Sequence, residues 1–495
     1  MEYQESLDYI RSLAPTLEKP TLQRLERFFQ EAGQPQSALP SFHVGGTNGK
    51  GSVTELIASM LGALGCRTGK FTGPHLLSFR ERFVLGGFAS ESSRPLAAAS
   101  ISEADFARSA QHVFEQSQQF AKRHAELGPL TWFEFLTTMA VEYFCRSKVD
   151  RAVFEVGLGG RFDATNILNN ILVSTICNVE LDHMHLLGDT REKIAFEKAG
   201  IIKPGIPVVT ACDGGPLEII CKQAASLQSP VVALKFSLAH GDPYRHFSAT
   251  TFGASSRFAE QIQACVGWIK EEVLGDGLSD SQDAHQLEHL CGLAGAYQKG
   301  NVLLALFSLL IGQGYLSLCT DKGQESDGPS GLSKEELKHK LLKGLKEASW
   351  PGRYQILESE KVILDGAHNP HGAGALRASL VQQFGGPFIF LFSAFENKNA
   401  SQVLHNLLGA QSNGAHLLIA FASPSERAMH KPETLAQLAL AQGAQALVAE
   451  DFGTALALAR QKQREAPGKY SAYIIATGSF ATVREAWRHF QLDDI

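Results

Sequence analysis

The twelve residues from Ser41 to Ser52, Ser-Phe-His-Val-Gly-Gly-Thr-Asn-Gly-Lys-Gly-Ser, join an apolar strand end to a glycine-rich turn and the start of a helix. Such a turn cradles an anion, because small residues let successive backbone N–H groups point inward and the following helix adds its positive end. Thr47, Asn48, Gly49, Lys50, Gly51 and Ser52 are therefore candidate nucleotide contacts, with Lys50 the mobile charge for the outer phosphates and Ser52 a hydroxyl for Mg²⁺. The spacing departs from the standard phosphate loop, since Gly51 separates Lys50 from Ser52. Taken alone the motif indicates a nucleotide, and a glycine-rich turn with a solvated lysine is its plainer alternative.

Three further groups carry possible chemistry. Gly157-Leu-Gly-Gly160 follows an apolar run and brings backbone close to a ligand at a strand's carboxyl end, with Arg161, Asp163 and Asn166 adding polar groups at the mouth of the sheet. It is not a dinucleotide fingerprint, because Phe162 replaces the last glycine, and a tight surface turn is equally compatible with it. Glu134 sits among Phe133, Phe135 and Leu136; buried there, its charge needs compensation, which Mg²⁺ supplies, whereas on an exposed helix face it needs none. Lys198 reads either as a solvated charge at a helix end or as part of the site.

The elements that must hold these groups alternate between short β-rich runs and helical stretches. Arg151–Val156, Ile171–Ile176, Pro207–Thr210, Lys361–Leu364, Phe388–Phe392 and His416–Ala420 read as strands of βαβ units, so the class is α/β with a mostly parallel sheet. A second α/β series begins after Trp350-Pro-Gly-Arg353, which places the domain division at 348, giving domains 1–348 and 349–495. Surface insertions are expected near 86–99 and 321–331, both rich in small and polar residues.

The 495 residues carry 45 basic and 51 acidic side chains, a formal charge of −6, with no long basic run. That gives no electrostatic case for a nucleic-acid or membrane-surface partner. Eight scattered cysteines without a Cys-x-x-Cys pair argue against zinc and against a disulfide framework, and the polar start and lack of a long apolar run lead to the expectation of a cytoplasmic protein.

Seven blocks together resemble the folylpolyglutamate synthase/dihydrofolate synthase branch of the Mur ligase group. They are Thr72-Gly-Pro-His-Leu76 with Glu81-Arg-Phe83, Thr131–Thr137, Glu155–Asn166, Leu181-Asp-His183 with Leu187-Gly188, Glu197–Ile201, Trp350–Arg353 and Asp365-Gly-Ala-His-Asn-Pro370, in order over nearly the whole chain. The resemblance implies a phosphate-loop ATPase-like domain plus a smaller Rossmann-like one. It implies an ATP-dependent ligase that adds L-glutamate to dihydropteroate, to a reduced folate's terminal glutamate, or to both. Glu134 and His183 are implied metal ligands beside Ser52, and Lys198, if carbamylated, a ligand for a second Mg²⁺. Asn301, Arg353, Asp365 and His368 are implied ATP contacts, with Pro74, His75, Arg82, Arg161 and Asp163 on the substrate side.

The implied reaction suits these parts: a carboxylate resists attack by an amine until phosphoryl transfer makes it an acyl phosphate, and Lys50 with Mg²⁺ offsets the charge that develops. Closure of the second domain over the nucleotide is the expected gate, and a monomer the expected state. Three departures stand out. Tyr297 occupies a place where many relatives carry histidine, Gly73 one where they often carry serine, and Glu396-Asn-Lys-Asn399 replaces a more acidic loop near the expected amino-acid site. The last also lacks the aspartate of a guanine-reading motif, which weakens a GTPase reading. A Mur-type ligase for a nucleotide-sugar carboxylate and a nucleotide-driven switch are the alternatives.

Overall fold

Apolar runs punctuated by glycine build two sheets in two compact units, Met1–Gly292 with Gly300–Ala348, and Leu293–Lys299 with Ser349–Ile495. The computed structural model describes residues 1–14, 21–88, 95–236, 244, 246–274, 291–320, 331–409, 415–425 and 427–492.

The first unit holds β1 (Ser41–Gly45), β2 (Thr68–Phe71), β3 (Phe83–Phe88), β4 (Pro95–Ser100), β5 (Arg151–Glu155), β6 (Ile171–Ile176), β7 (Val208–Thr210), β8 (Val231–Lys235) and β9 (Ser248–Phe252). They lie in the order β4-β3-β2-β5-β1-β6-β7-β8-β9. The six central strands, β2 to β8 in that order, are parallel, and antiparallel strands close both edges. Every residue of β1 is buried, as expected of a central parallel strand covered on both faces. The register sets Val44 beside Glu155 and Gly45 beside Ile176, so the carboxyl ends of β5, β1 and β6 stand side by side.

Under β5 lies a cluster of phenylalanines. Phe154 packs 5.7 Å from both Phe71 and Phe144, and Phe71 lies 5.4 Å from Phe83, all measured between ring centres. All four rings are buried, and offset or edge-on packing adds to their burial.

The second unit holds β10 (Gln355–Leu357), β11 (Val362–Leu364), β12 (Ile389–Phe392), β13 (Leu417–Phe421), β14 (Gln445–Ala449) and β15 (Ile474–Thr477), ordered β10-β11-β15-β12-β13-β14. Only β10 runs antiparallel. Its core gathers Phe388, Phe390, Leu404, Leu418 and Ile475 between the sheet and its helices.

The expected insertion at 86–99 is corrected in part. Phe83–Phe88 and Pro95–Ser100 pair as edge strands, because alternating small residues fit a pleated edge, while 89–94 lie outside the described residues. Of the stretch 321–331, residues 321–330 also lie outside them. Among the described residues no helix is long and apolar enough to cross a membrane.

Because Phe154 precedes the functional strand end and is fully buried, Phe154→Ala is expected to lower unfolding free energy by about 3–5 kcal/mol, read from the denaturant midpoint.

Candidate functional site

The turn after β1 is tied down before it can hold anything. Thr47 donates its N–H to the Asn178 carbonyl at 2.8 Å, Asn48 donates its N–H to Asn178 Oδ1 at 2.8 Å, and Thr47 Oγ1 accepts from Glu180 N at 3.0 Å. Those two amides thus brace the loop instead of facing a nucleotide. The first intrahelical bond of the helix Lys50–Ala63 runs from Val53 N to the Gly49 carbonyl at 2.9 Å, so the amides of Lys50, Gly51 and Ser52 precede it. These are the donors a helix start offers to an anion. Gly49 has φ +86°, and a Cβ there would lie 2.5 Å from Asn301 Oδ1, so both the turn and the close approach of Asn301 require glycine. Lys50 Nζ rests on the Thr47 carbonyl at 3.3 Å, and Ser52 is buried two positions later.

Lys198 reaches the same loop from the far side. It ends the helix Arg191–Ala199, is 4% exposed, and donates from Nζ to the Gly46 carbonyl at 2.7 Å. Burial, reinforced by the charge of Lys50, lowers its pKa to about 7. Gly160 makes this placement possible: a Cβ there would fall 2.8–2.9 Å from the carbonyls of Glu197 and Lys198 and from Ile201. Arg161 then pairs with Glu197 (Nη2 to Oε1, 2.7 Å) and stacks over Phe162 and Phe196.

Asp163 braces this turn. Its Oδ1 accepts from Thr165 N at 3.0 Å and from Thr165 Oγ1 at 2.5 Å, and its Oδ2 accepts from Leu158 N at 2.8 Å. Burial raises its pKa against the pull of these bonds. Thr165 Oγ1 also meets His43 Nε2 at 2.8 Å, and burial lowers that imidazole to about 3, so it is neutral.

The metal assignment needs correction at Glu134. Its Oε2 accepts from Thr131 N at 2.7 Å and Thr131 Oγ1 at 2.9 Å, forming a capping box for the helix Trp132–Arg146, and pairs with Arg24 Nη1 at 3.1 Å. The charge compensation that burial demands comes from arginine and the helix start. Glu155 is the carboxylate the sequence reading passed over. It ends β5 beside Val44, is 5% exposed, and accepts from Gly73 N at 3.2 Å. The signal was present: an acidic residue closing an apolar strand immediately before the Gly157–Gly160 turn.

His183 has φ +49°, a left-handed conformation that a non-glycine residue holds at a cost of about 1–3 kcal/mol, and Asp182 Oδ1 accepts its N–H at 2.8 Å. It is partly exposed. In the Thr72–Arg82 segment, Pro74 is exposed and His75 Nδ1 accepts from Arg82 Nε at 2.9 Å. The buried Arg82 guanidinium stands 5.0 Å over the Trp132 ring.

The second unit gathers its own site at strand carboxyl ends. Asp365, 3% exposed after β11, accepts from Tyr297 Oη at 2.7 Å, Tyr354 N at 2.9 Å and Ala367 N at 2.8 Å. Burial raises its pKa and Arg353 opposes that. Arg353 lies 4.6 Å over the Phe480 ring, and His368 Nδ1 meets the Gly366 carbonyl at 2.9 Å. Past β12, β13 and β15, Ser393, Ser423, Ser479 and Thr482 form a buried hydroxyl cluster centred on Ser393 Oγ. It adjoins the helix Phe480–His489, which Ser479 caps; sequence reading missed it because single hydroxyls carry no motif.

The structure thus brings Lys50, Ser52, Lys198, Glu155 and Asn301 to the end of β1 and its neighbours, and Arg353, Asp365 and His368 to that of β11. Among the described residues no three His, Cys, Asp or Glu side chains gather as a metal cage. Mg²⁺ takes one or two protein oxygens and completes its shell with phosphate and water; the Ser52 hydroxyl and the Glu155 carboxylate are oxygens of that kind.

Comparison with known proteins adds to this geometry. A family model described as Mur ligase, glutamate ligase domain matches residues 352–480. The dihydrofolate synthase/folylpolyglutamate synthase of Bacillus subtilis is 32% identical over 419 residues, covering 82% of this chain and 82% of that protein. The folylpolyglutamate synthase of Lacticaseibacillus casei is 30% identical over 414 residues, covering 83% and 84%. A solved folylpolyglutamate synthase from Thermotoga maritima is 27% identical with a TM-score of 0.67, over 100% of this chain and 97% of that one.

Glu134→Gln leaves Arg24 buried without its charge partner. It is expected to destabilise the fold by about 3 kcal/mol while leaving the magnesium dependence of activity unchanged, checked by denaturant melts and magnesium titration.

Proposed function

The chain belongs to the dihydrofolate synthase/folylpolyglutamate synthase family, and from that premise we propose that it joins L-glutamate to the carboxylate of a pteroyl acid in a reaction driven by ATP. The acid is dihydropteroate, a reduced folate or its polyglutamate. One observation carries the reading: a phosphate-binding turn built at the end of β1 shares a chain with a domain matching a glutamate ligase model.

The chain's residues divide the work by charge. The amides of Lys50, Gly51 and Ser52 hold the phosphates, and Lys50, resting on the Thr47 carbonyl, swings to the oxygens on which negative charge grows. Phosphoryl transfer to the pteroyl carboxylate releases ADP and leaves an acyl phosphate; the amine of glutamate attacks the acyl carbon, phosphate departs, and the amide forms with loss of the amine's proton. Little covalent chemistry falls to the protein, so alignment and exclusion of water are its contribution. Ser52 and Glu155 would hold magnesium, which would neutralise charge on the phosphate oxygens, and His183 is the further ligand that family membership suggests.

Asn301, on the helix Gln298–Gly312 and close to Gly49 of the turn, and Arg353, Asp365 and His368 in the second unit are the further ATP contacts in this reading. Arg82 and His75, coupled by their hydrogen bond, and Arg161, held against Glu197, serve the substrate side. The Ser393–Ser479–Thr482 hydroxyls, next to a helix start, suit a carboxylate of the incoming glutamate. Lys198 at a pKa of about 7 is partly neutral under physiological conditions, the form whose nitrogen attacks CO₂. Addition there, with loss of a proton, would turn a cation into an anionic oxygen ligand for a second ion.

Glutamate-dependent ATP hydrolysis offered dihydropteroate, tetrahydrofolate or a UDP-linked sugar acid is expected to proceed with the pteroyl acids alone; turnover only with the sugar acid, or with none, defeats the reading. Lys50→Ala is expected to lower kcat by about 10²–10³-fold with the melting temperature unchanged. The neutral fraction of Lys198 grows as pH rises through about 7, so activity should rise over that window and respond to bicarbonate. Lys198→Ala should lose it, with partial rescue by acetate or formate.

A further inference from the structure

Asp365 is a buried acid whose carboxylate is set by three donors, and one of them comes from far away in the sequence. Tyr354 N and Ala367 N are backbone groups fixed by the turns next to β11. The third is the Tyr297 hydroxyl, at 2.7 Å from Oδ2, from the segment Leu293–Lys299, which packs with the second unit although 49 intervening residues belong to the first.

Several features converge on placing that hydroxyl. Ala296 N donates to Ser379 Oγ at 3.0 Å, anchoring the segment to the helix Pro370–Phe384. The Tyr297 ring meets the Tyr354 ring edge-on, 6.3 Å between centres at 82°. Gly295 has φ +98°, and a Cβ there would lie 3.0 Å from Tyr354 Cγ and 3.2 Å from Tyr297 Cε1, so both rings close over a residue that only glycine satisfies. Tyr354 itself sits at φ +50°, an uncommon conformation for a bulky side chain, and its N–H is aimed at the same Oδ2. A carboxylate only accepts, so the phenol is the donor, and burial with the nearby Asp365 charge keeps its proton on.

We propose that Tyr297 is a positioning residue for the ligase reaction: its hydroxyl, with the Tyr354 amide, fixes Asp365 Oδ2 so that the carboxylate is held in the one orientation from which it meets the nucleotide. The proposal rests on the reading of Asp365 as an ATP contact. Packing alone would be served by any ring of the same shape, whereas orientation needs the O–H.

The test compares the full-length enzyme with Tyr297→Phe, Tyr297→His, Asp365→Asn and the Tyr297→Phe/Asp365→Asn double variant, measuring KM for ATP, KM for glutamate and kcat, with a melting curve for each. Tyr297→Phe is expected to raise KM for ATP by about five- to twentyfold, the range for a lost hydrogen bond to a charged group that acts through another, leaving KM for glutamate within twofold. Tyr297→His, whose ring N–H can donate to the same oxygen, should return KM for ATP to within about threefold of the parent. In the Asp365→Asn background the Phe substitution should add less than about twofold, because the two act as one unit.

A melting curve that falls while KM for ATP stays at the parental value would make Tyr297 a packing residue and overturn the proposal, as would effects that multiply in the double variant. If Asp365→Asn itself leaves KM for ATP unchanged, the reading of Asp365 fails and the proposal falls with it. That outcome is distinct from one in which Asp365→Asn raises KM for ATP and Tyr297→Phe does not, which removes the positioning role alone.

Discussion

A buried ammonium on a main-chain carbonyl sets the geometry of the larger unit. Lys198 gives Gly46 its hydrogen bond at 2.7 Å from a position almost without solvent, and burial, with the charge of Lys50, lowers its pKa to about 7. The contact fastens the helix Arg191–Ala199 to the phosphate turn. Through Gly160, whose missing side chain lets that helix close in, it also fastens the turn Gly157–Asn166 to both. Three loops that leave β1, β5 and the strand-to-helix segment after β6 are thus locked into one arrangement around the end of the sheet. Lys50 stays partly exposed, with its Nζ on the Thr47 carbonyl of its own loop at 3.3 Å.

Much of this is legible in the sequence. The runs Arg151–Val156, Ile171–Ile176 and Phe388–Phe392 are strands because continuous apolar stretches of that length bounded by glycine and polar residues suit a sheet covered on both faces. The turn after β1 was legible because its conformation is set by the backbone, which demands glycine at fixed places. What stayed hidden depended on partners distant in sequence. Arg24 lies 110 residues from Glu134, and Tyr297 lies 68 from Asp365. Periodicity shows that Glu134 lies on a helix; it does not show that an arginine from another helix waits beside it. Likewise Thr47 and Asn48 look like ligand contacts within their motif, and only the position of Asn178 reveals that their amides brace the loop.

The insertion expected at 86–99 illustrates a different limit. Small residues such as Gly86, Gly87, Ala98 and Ala99 resemble loop composition, but on an antiparallel edge they fit the pleat without bulk, and the pairing of Val84 with Ser100 and Leu85 with Ala99 decides the matter. Composition records what side chains prefer when nothing is opposite them; a partner strand changes the preference.

Four buried acids show how one chemistry is turned to separate ends. Glu134 receives both a helix start and an arginine, so its charge is answered and it becomes structure. Asp163 spends both oxygens on its own turn and likewise holds shape. Asp365 is set by N–H and O–H donors, with Arg353 acting on it through its field. Such donors fix direction without cancelling charge, and that leaves a carboxylate whose field can be felt by something else. Glu155, at the end of β5, accepts a backbone N–H from Gly73 at 3.2 Å. Burial alone does not separate these carboxylates, since all four are 6% exposed or less. Their donors differ: the full positive charge of Arg24 answers Glu134, whereas dipoles set the oxygens of Asp163 and Asp365 without cancelling their charge.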